Sequence, residues 1–243
     1  MTEYEQEAMK ELTAWQREMK LSPSLIGGLA KKVQTRINRI IPEKVHAAVT
    51  VAIKQMTRAV IFGSGFTTAT PLAEGTLEER ELKVKQRIKF YKNTAATEGA
   101  ITGAGGILLG LADFPLWLTL KMKLLHEIAA AYGHDVKEYK ERIYILHIFQ
   151  LTFSSQSHRN KIVRLLENWE NEEKVLPQDI NEFDWRTFQL EYRDYIDLAK
   201  LLQLVPGIGA PIGAYVNHRL TKKLGATAMN AYRLRWKMQK MLS

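Results

Sequence analysis

Between residues 96 and 135 the chain reads ATEGAITGAGGILLGLADFPLWLTLKMKLLHEIAAAYGHD, a glycine-rich apolar run that passes without interruption into an amphipathic pattern. Glycine at this density has three physical uses: a phosphate-cradling loop, a membrane span, or a helix packed unusually closely. A phosphate loop turns from a strand into a helix and closes with a Lys and a Ser or Thr that hold phosphate and magnesium. Here Gly103, Gly105, Gly106 and Gly110 follow a helical pattern and lead into Leu111, Ala112 and Asp113, so the loop chemistry is missing. The dinucleotide fingerprint fails as well, with Leu108 where its third glycine belongs. Residues 99–120 have the length of a span, about 20 residues. Their content argues against one, because Asp113 alone costs roughly 2.5–3.5 kcal/mol at a bilayer centre and the glycines and Pro115 remove most of the opposing transfer energy. The reading left is two helices meeting at Asp113. The first is thin, with Gly103, Gly106 and Gly110 as packing residues. The second is capped by Asp113, carries Pro115 in its first turn and stops at Gly133, the usual residue of a left-handed helix end.

The same helical period governs the rest of the chain, and alternating strand-like runs are few and short. The expected fold is all-α, a helical domain of about eight to ten helices that includes two Gly/Ala-rich close-packed ones. Its N-terminal helices, 1–70, are expected to be continuous with a core spanning 71–243. Helices are expected over 3–20, 24–41 and from Pro42 to Gly63, followed by a loop, GSGFTTATPLAEG. Thr76 and Glu79 have capping-box spacing ahead of a charged helix. Asp135 with Glu138 reads as an acid-capped start for the next helix, whose second half, 143–153, is apolar almost all round and belongs in the centre of the core. A shorter helix is expected over 158–169, then a polar linker through Trp185, a helix over 186–203, and a C-terminal segment of two or three helices divided near Gly225. GAxxGA occurs twice, at Gly99 and Gly103 and again at Gly209 and Gly213, and small residues four apart allow two such helices to approach closely.

Charge is unevenly placed. The formal net charge is +9, and after Asp197 there is no acid, while Lys200, Arg219, Lys222, Lys223, Arg233, Arg235, Lys237 and Lys240 follow. The last helix carries Arg233, Lys237 and Lys240 on one stripe with Met229, Tyr232 and Trp236 along one border. Such a basic amphipathic helix can lie among anionic head groups, so Lys222, Lys223, Arg233, Arg235, Trp236, Lys237 and Lys240 are the candidate lipid-binding residues. A solvated basic face is the plain alternative. Nucleic acid would want the same cations, but no nucleic-acid-binding motif can be read and that partner ranks well below a membrane surface. There is no basic region followed by an apolar one at the N-terminus, so no signal peptide is expected.

Catalytic constellations are weak. His126 and Glu127 lack the second His four residues on that a zinc protease helix needs, since Ala130 stands there, and they read as a helix-surface pair. Ser64 in GSG lacks the flanking glycines of a nucleophile turn, and His134 with Asp135 is explained by capping. Glu98 and Asp113 border the glycine run, where buried carboxylates could bind a cation. No catalytic residue, metal ligand or cofactor is assigned from the sequence.

The stretch 99–135 resembles the central motif of the EcsC family, in which a glycine-rich run leads to an acid, a proline, a long helix with IA and then YG with an acid. The matching residues are Gly103, Gly106, Gly110, Asp113, Pro115, Ile128, Ala129, Tyr132, Gly133 and Asp135. The closing segment is similar through Pro206, Gly209, Gly213, Asn217, Gly225, Ala228 and Tyr232, and residues 1–70 match less distinctively. The resemblance implies a bacterial protein associated with an ABC transporter operon and brings no catalytic activity with it. The expectation is an accessory protein peripheral to the cytoplasmic face of the cell membrane, with ABC transporter subunits as partners. The alternatives are a hydrolase using His126, Glu127 or Asp113, or a basic module binding nucleic acid or protein.

Overall fold

The computed structural model describes residues 1–20, 55, 70–104, 114–176, 183–184, 188 and 209–242. Among these there are seven helices and no strand, so the fold is all-α. Helix α1, Glu3–Lys20, has Glu3 and Glu5 in its first turn and Arg17 and Lys20 in its last, matching the helix dipole at both ends. Helix α2, Leu77–Ala104, starts at the anticipated capping box: the Thr76 hydroxyl accepts from the Glu79 backbone N–H at 3.3 Å and the Glu79 carboxylate accepts from the Thr76 N–H at 2.8 Å. Helix α3, Phe114–Ala131, ends at Gly133, which has φ +92°. Helix α4, Tyr139–Phe153, is followed by α5, Gln156–Glu167, the single turn α6, Trp169–Glu172, and α7, Gly209–Leu242, which runs unbroken for 34 residues.

Helix α7 is the axis. Its most extensive contact is with α2, and it also packs on α1, α3 and α4. Paired positions give the directions: Gly99 meets Gly213, Ile88 meets Gly225 and Glu81 meets Arg233, so α2 runs antiparallel to α7. Tyr144 reaches Ala231 and Thr152 reaches Lys223, so α4 is antiparallel too, whereas Trp117 with Asn217 and Tyr132 with Met229 make α3 parallel. The two GAxxGA segments are the crossing point of α2 and α7. A Cβ on Gly99 would run into the Gly213 backbone and stand 2.5 Å from Asn217 Nδ2. Helix α4 is buried from Ile143 to Phe153 on every side, as its apolar composition requires.

Several local expectations are corrected. Helix α4 starts at Tyr139 rather than at Asp135, because the Asp135 carboxylate accepts the Lys137 N–H in a tight turn of its own, and the Glu138 side chain makes no capping bond. Helix α5 starts at Gln156, capped by Ser155 and not at His158. The expected division of the C-terminal segment at Gly225 is absent. Gly225 sits inside α7 where a Cβ would come within 2.5 Å of Ile88 Cγ1, so it is a close-approach glycine and not a helix breaker. Phe183, assigned to polar linker, is buried against His147 with ring centroids 5.7 Å apart. The helices expected over 24–41, 42–63 and 186–203 lie outside the described residues apart from Gln55 and Phe188, as do Ser64, Gly106, Gly110 and Asp113.

Candidate functional site

A helix with no acid of its own must find counter-charges elsewhere if it is to be buried, and α7 finds them on three helices. Glu81 of α2 is fully buried and accepts from Arg233 Nε and Nη2, both at 2.6 Å. It also accepts from the hydroxyls of Tyr4 at 2.7 Å and Tyr132 at 3.0 Å. Glu11 of α1 takes Arg233 Nη1 at 2.6 Å. One turn from that centre, Glu141 of α4 accepts from the Tyr232 hydroxyl at 2.6 Å and from Arg235 Nη1 at 2.5 Å. The ring of Tyr132, whose hydroxyl meets Glu81, stacks on that of Tyr232, whose hydroxyl meets Glu141, at 5.2 Å, and Tyr144 packs on Tyr232 at a tilt of 54° with centroids 5.4 Å apart. The Arg235 guanidinium lies 4.8 Å from the Tyr144 ring centre.

The electrostatics follow from this enclosure. Burial would lower the Arg233 pKa, but Glu81 and Glu11 outweigh it and raise it, so the guanidinium stays charged. Burial beside the carboxylates raises Tyr132 and Tyr232 far above the ordinary phenol range, and both remain neutral donors. His134 stacks on Tyr232 at 5.3 Å, and burial with Arg235, Arg80 and Lys140 nearby lowers its pKa to about 3. It is neutral at pH 7, although its Nδ1 lies 3.8 Å from the Glu141 carboxylate already held by Arg235. Both oxygens of Glu81 and both oxygens of Glu141 are bonded to donors. The cluster is a clamp locking α7 to α1, α2 and α4.

The clamp removes candidates from the lipid-binding set. Arg233 has a side chain 4% exposed and Arg235 one 14% exposed, each spent on a carboxylate in the interior, so neither presents a cation outward. Trp236 is half-buried against the core with Arg80 5.6 Å from its ring centre, and is not a free aromatic edge. Lys223 donates to the Thr152 carbonyl at 2.7 Å, and burial lowers its pKa to about 8. Lys240 pairs with Glu5. Lys222 and Lys237 are exposed, as is Arg219.

Several of the motif residues make contacts between helices. Asn217 accepts from Trp117 Nε1 at 2.9 Å and donates to Glu98 at 3.1 Å, which ties α3, α7 and α2 together beside the Gly99–Gly213 contact. Tyr132 bonds Glu81. Gly133 sits where a Cβ would come within 2.9 Å of Arg80 Nη1, and Gly209 opens α7. Gly103 lies in α2 and Pro115 in α3.

The second place of interest is a cleft of about 520 Å³ between α2 and α3, walled by Thr70 and Leu72. The wall is pinned. Leu72 N–H donates to the Ala130 carbonyl at 2.8 Å, and the Arg80 guanidinium donates to the carbonyls of Leu72, Ala131 and Gly75 at 3.0 to 3.1 Å. His126 lines the cleft and contradicts its reading as a helix-surface residue. It is 1% exposed, neither ring nitrogen has a hydrogen-bond partner, and burial with Arg142 nearby lowers its pKa to about 4. Glu127 accepts from the Tyr91 hydroxyl at 2.6 Å and pairs with Arg87 at 3.2 Å. Among the described residues no group of His, Cys, Asp and Glu comes together as a metal site.

Sequence reasoning missed Glu81, Glu141, Arg80 and the fully buried Lys121, whose Nζ lies 4.6 Å from the Trp117 ring centre. One signal for Glu81 was present: Leu77, Glu81, Val84, Ile88, Tyr91 and Ala95 form one helical stripe, and a lone acid in an apolar stripe requires a buried partner.

The chain is 43% identical to "Protein EcsC" of Bacillus subtilis (strain 168) over 228 residues, covering 93% of this chain and 94% of that one. It is 35% identical to "Uncharacterized protein YdbA" of the same organism over 147 residues, covering 60% of this chain and 54% of that one. No solved structure matches. The family model for the EcsC protein family matches residues 6–236, extending the likeness through the N-terminal part of the sequence, and the chain belongs to that family.

Proposed function

We propose that this protein is an accessory protein that works without catalysis at the cytoplasmic face of the membrane, beside an ABC transporter, and that it attaches peripherally through the outer face of α7. The observation that carries the attachment is an exposed stripe along this acid-free helix: Tyr215, Arg219, Lys222, Ala226 and Lys237, with Met241 exposed near its end. Tyr215, Arg219, Lys222 and Ala226 recur at three- and four-residue spacing on one side of the helix, and Lys237 returns to that side three turns further on, beyond the buried Arg233. Tyr215, 63% exposed, supplies the interfacial aromatic that Trp236 does not. Among the described residues no helix is long and apolar enough to cross a membrane, which accords with a surface mode of attachment. The transporter as partner rests on family membership alone.

Each Lys or Arg near an anionic bilayer contributes about 1 kcal/mol. Replacing Arg219, Lys222 and Lys237 together by Gln should therefore weaken binding to anionic liposomes by about two orders of magnitude. Salt should release the wild-type protein. Co-sedimentation is the assay, with Arg233→Gln left out because it breaks the fold and not the surface. Binding that ignores the triple substitution and salt overturns this reading.

A further inference from the structure

The cleft between α2 and α3 has a composition that the clamp and the outer face of α7 do not explain. The exposed Lys83, Arg87 and Lys123 line it together with Leu72, Ala130 and Ala131, and His126 borders it, 1% exposed with both ring nitrogens unsatisfied. A buried imidazole without a partner costs stability, and native interiors tolerate few such groups. Here the group borders an opening large enough for a small ligand, which typically occupies 300–1,000 Å³. Among the described lining residues the one carboxylate, Glu127, is already engaged by Tyr91 and Arg87.

We propose that this cleft binds a phosphoryl group of a small phosphorylated molecule or of a lipid head group, with Lys83, Arg87 and Lys123 as its counter-charges, Gln86 as a donor and the His126 N–H as the inner hydrogen bond. The charges match the class: among the described lining residues three cations against one carboxylate leave a net +2, and a phosphate monoester carries about −1.5 to −2 near pH 7. Three cations around a single carboxylate monoanion would instead leave an uncompensated excess. The neighbouring C-terminus of α3 would ordinarily repel an anion through its open carbonyls. That repulsion is blunted here, since the Ala129 carbonyl accepts from His134 N–H, that of Ala130 from the N–H groups of Leu72 and Gly133, and that of Ala131 from Arg80. The same bonds hold the walls in place before a ligand arrives. The site does not rest on the membrane reading, since no residue of α7 lines it.

The test uses the full-length chain and three probes: inorganic phosphate, glycerol phosphate, and vesicles of phosphatidylcholine with or without phosphatidic acid. Calorimetric titration and the thermal midpoint give the readout. Glycerol phosphate or phosphatidic acid should bind and raise the midpoint, and whichever binds more tightly identifies the source of the phosphoryl group. Lys83→Met with Lys123→Met, both at exposed positions, should weaken binding about tenfold per cation removed, because hydrogen bonds to charged groups are the strong ones. His126→Leu should fold with an equal or higher midpoint, having lost an unsatisfied polar group, yet bind about tenfold more weakly. The proposal is overturned if no phosphorylated probe binds, if succinate binds as well as glycerol phosphate does, or if the lysine pair can be removed without loss. A stable His126→Leu variant with unchanged affinity assigns the imidazole to the core and overturns it equally.

Discussion

Removing Glu81 tests whether the Arg233 clamp is a buried structural element. Glu81→Ala deletes the acceptor of two guanidinium bonds and two tyrosine hydroxyls at a site with no solvent exposure. Arg233 is then left with Glu11, whose own side chain is 61% exposed, and Tyr132 loses its carboxylate partner. Breaking a buried ion pair from one side typically costs about 3–5 kcal/mol, since the remaining charge stays desolvated. For a chain of this length that corresponds to a fall of roughly 10 °C in Tm. Replacing both members, Glu81→Leu with Arg233→Met, removes the stranded charge along with the pair and should restore most of the loss. Large coupling between the two sites is therefore expected in a double-mutant cycle followed by urea denaturation. A loss below about 1 kcal/mol for Glu81→Ala refutes the reasoning, because that is the behaviour of a solvated surface pair. In that case Arg233 would return to the set of cations available to lipid.

Three further outcomes can be checked by the same denaturation assay. Gly99→Ala should destabilise by about 1–3 kcal/mol, because its Cβ meets the Gly213 backbone, and should cost more than Gly225→Ala, whose obstruction is the movable Ile88 side chain; equal effects would show that the crossing is loose. Gly133→Ala should cost about 1–2 kcal/mol through its φ of +92° and its closeness to Arg80, and a neutral result would contradict the pinned wall. Burial holds His126 and His147 at about 4 and His134 at about 3, all below the ordinary 6.5, so the unfolded chain binds more protons and stability is full above pH 6.5 and falls as pH drops through 5 and 4. Each histidine adds up to about 1.4 kcal/mol per pH unit to that slope, so His126→Leu should flatten it by one such increment; a level profile from pH 7 to 5 would show the rings are not buried.

Features with a short-range cause were legible in the sequence. The Thr76–Glu79 box, the glycine at the end of α3, the apolar circumference of 143–153 and the all-α class depend on a few neighbouring residues and on the 3.6-residue period. The GAxxGA echo was also legible, because small residues four apart describe a surface that only another backbone can fill. What the sequence could not decide was which partner each face meets. Arg219, Lys222, Arg233 and Lys237 share one arc of α7 at about 100° per residue, and by pattern they are equivalent. Arg233 is interior only because α1 and α2 bring Glu11 and Glu81 to it, from positions 222 and 152 residues away in the chain. Gly225 reads as a break by composition and proves to be a contact because Ile88 lies against it. His126 reads as a surface residue until the folded wall at Leu72 and the flank of α2 enclose it. Local propensity sets which stretches become helix, but desolvation is a property of the assembled core, and it determines whether a cation serves the interior or the surface.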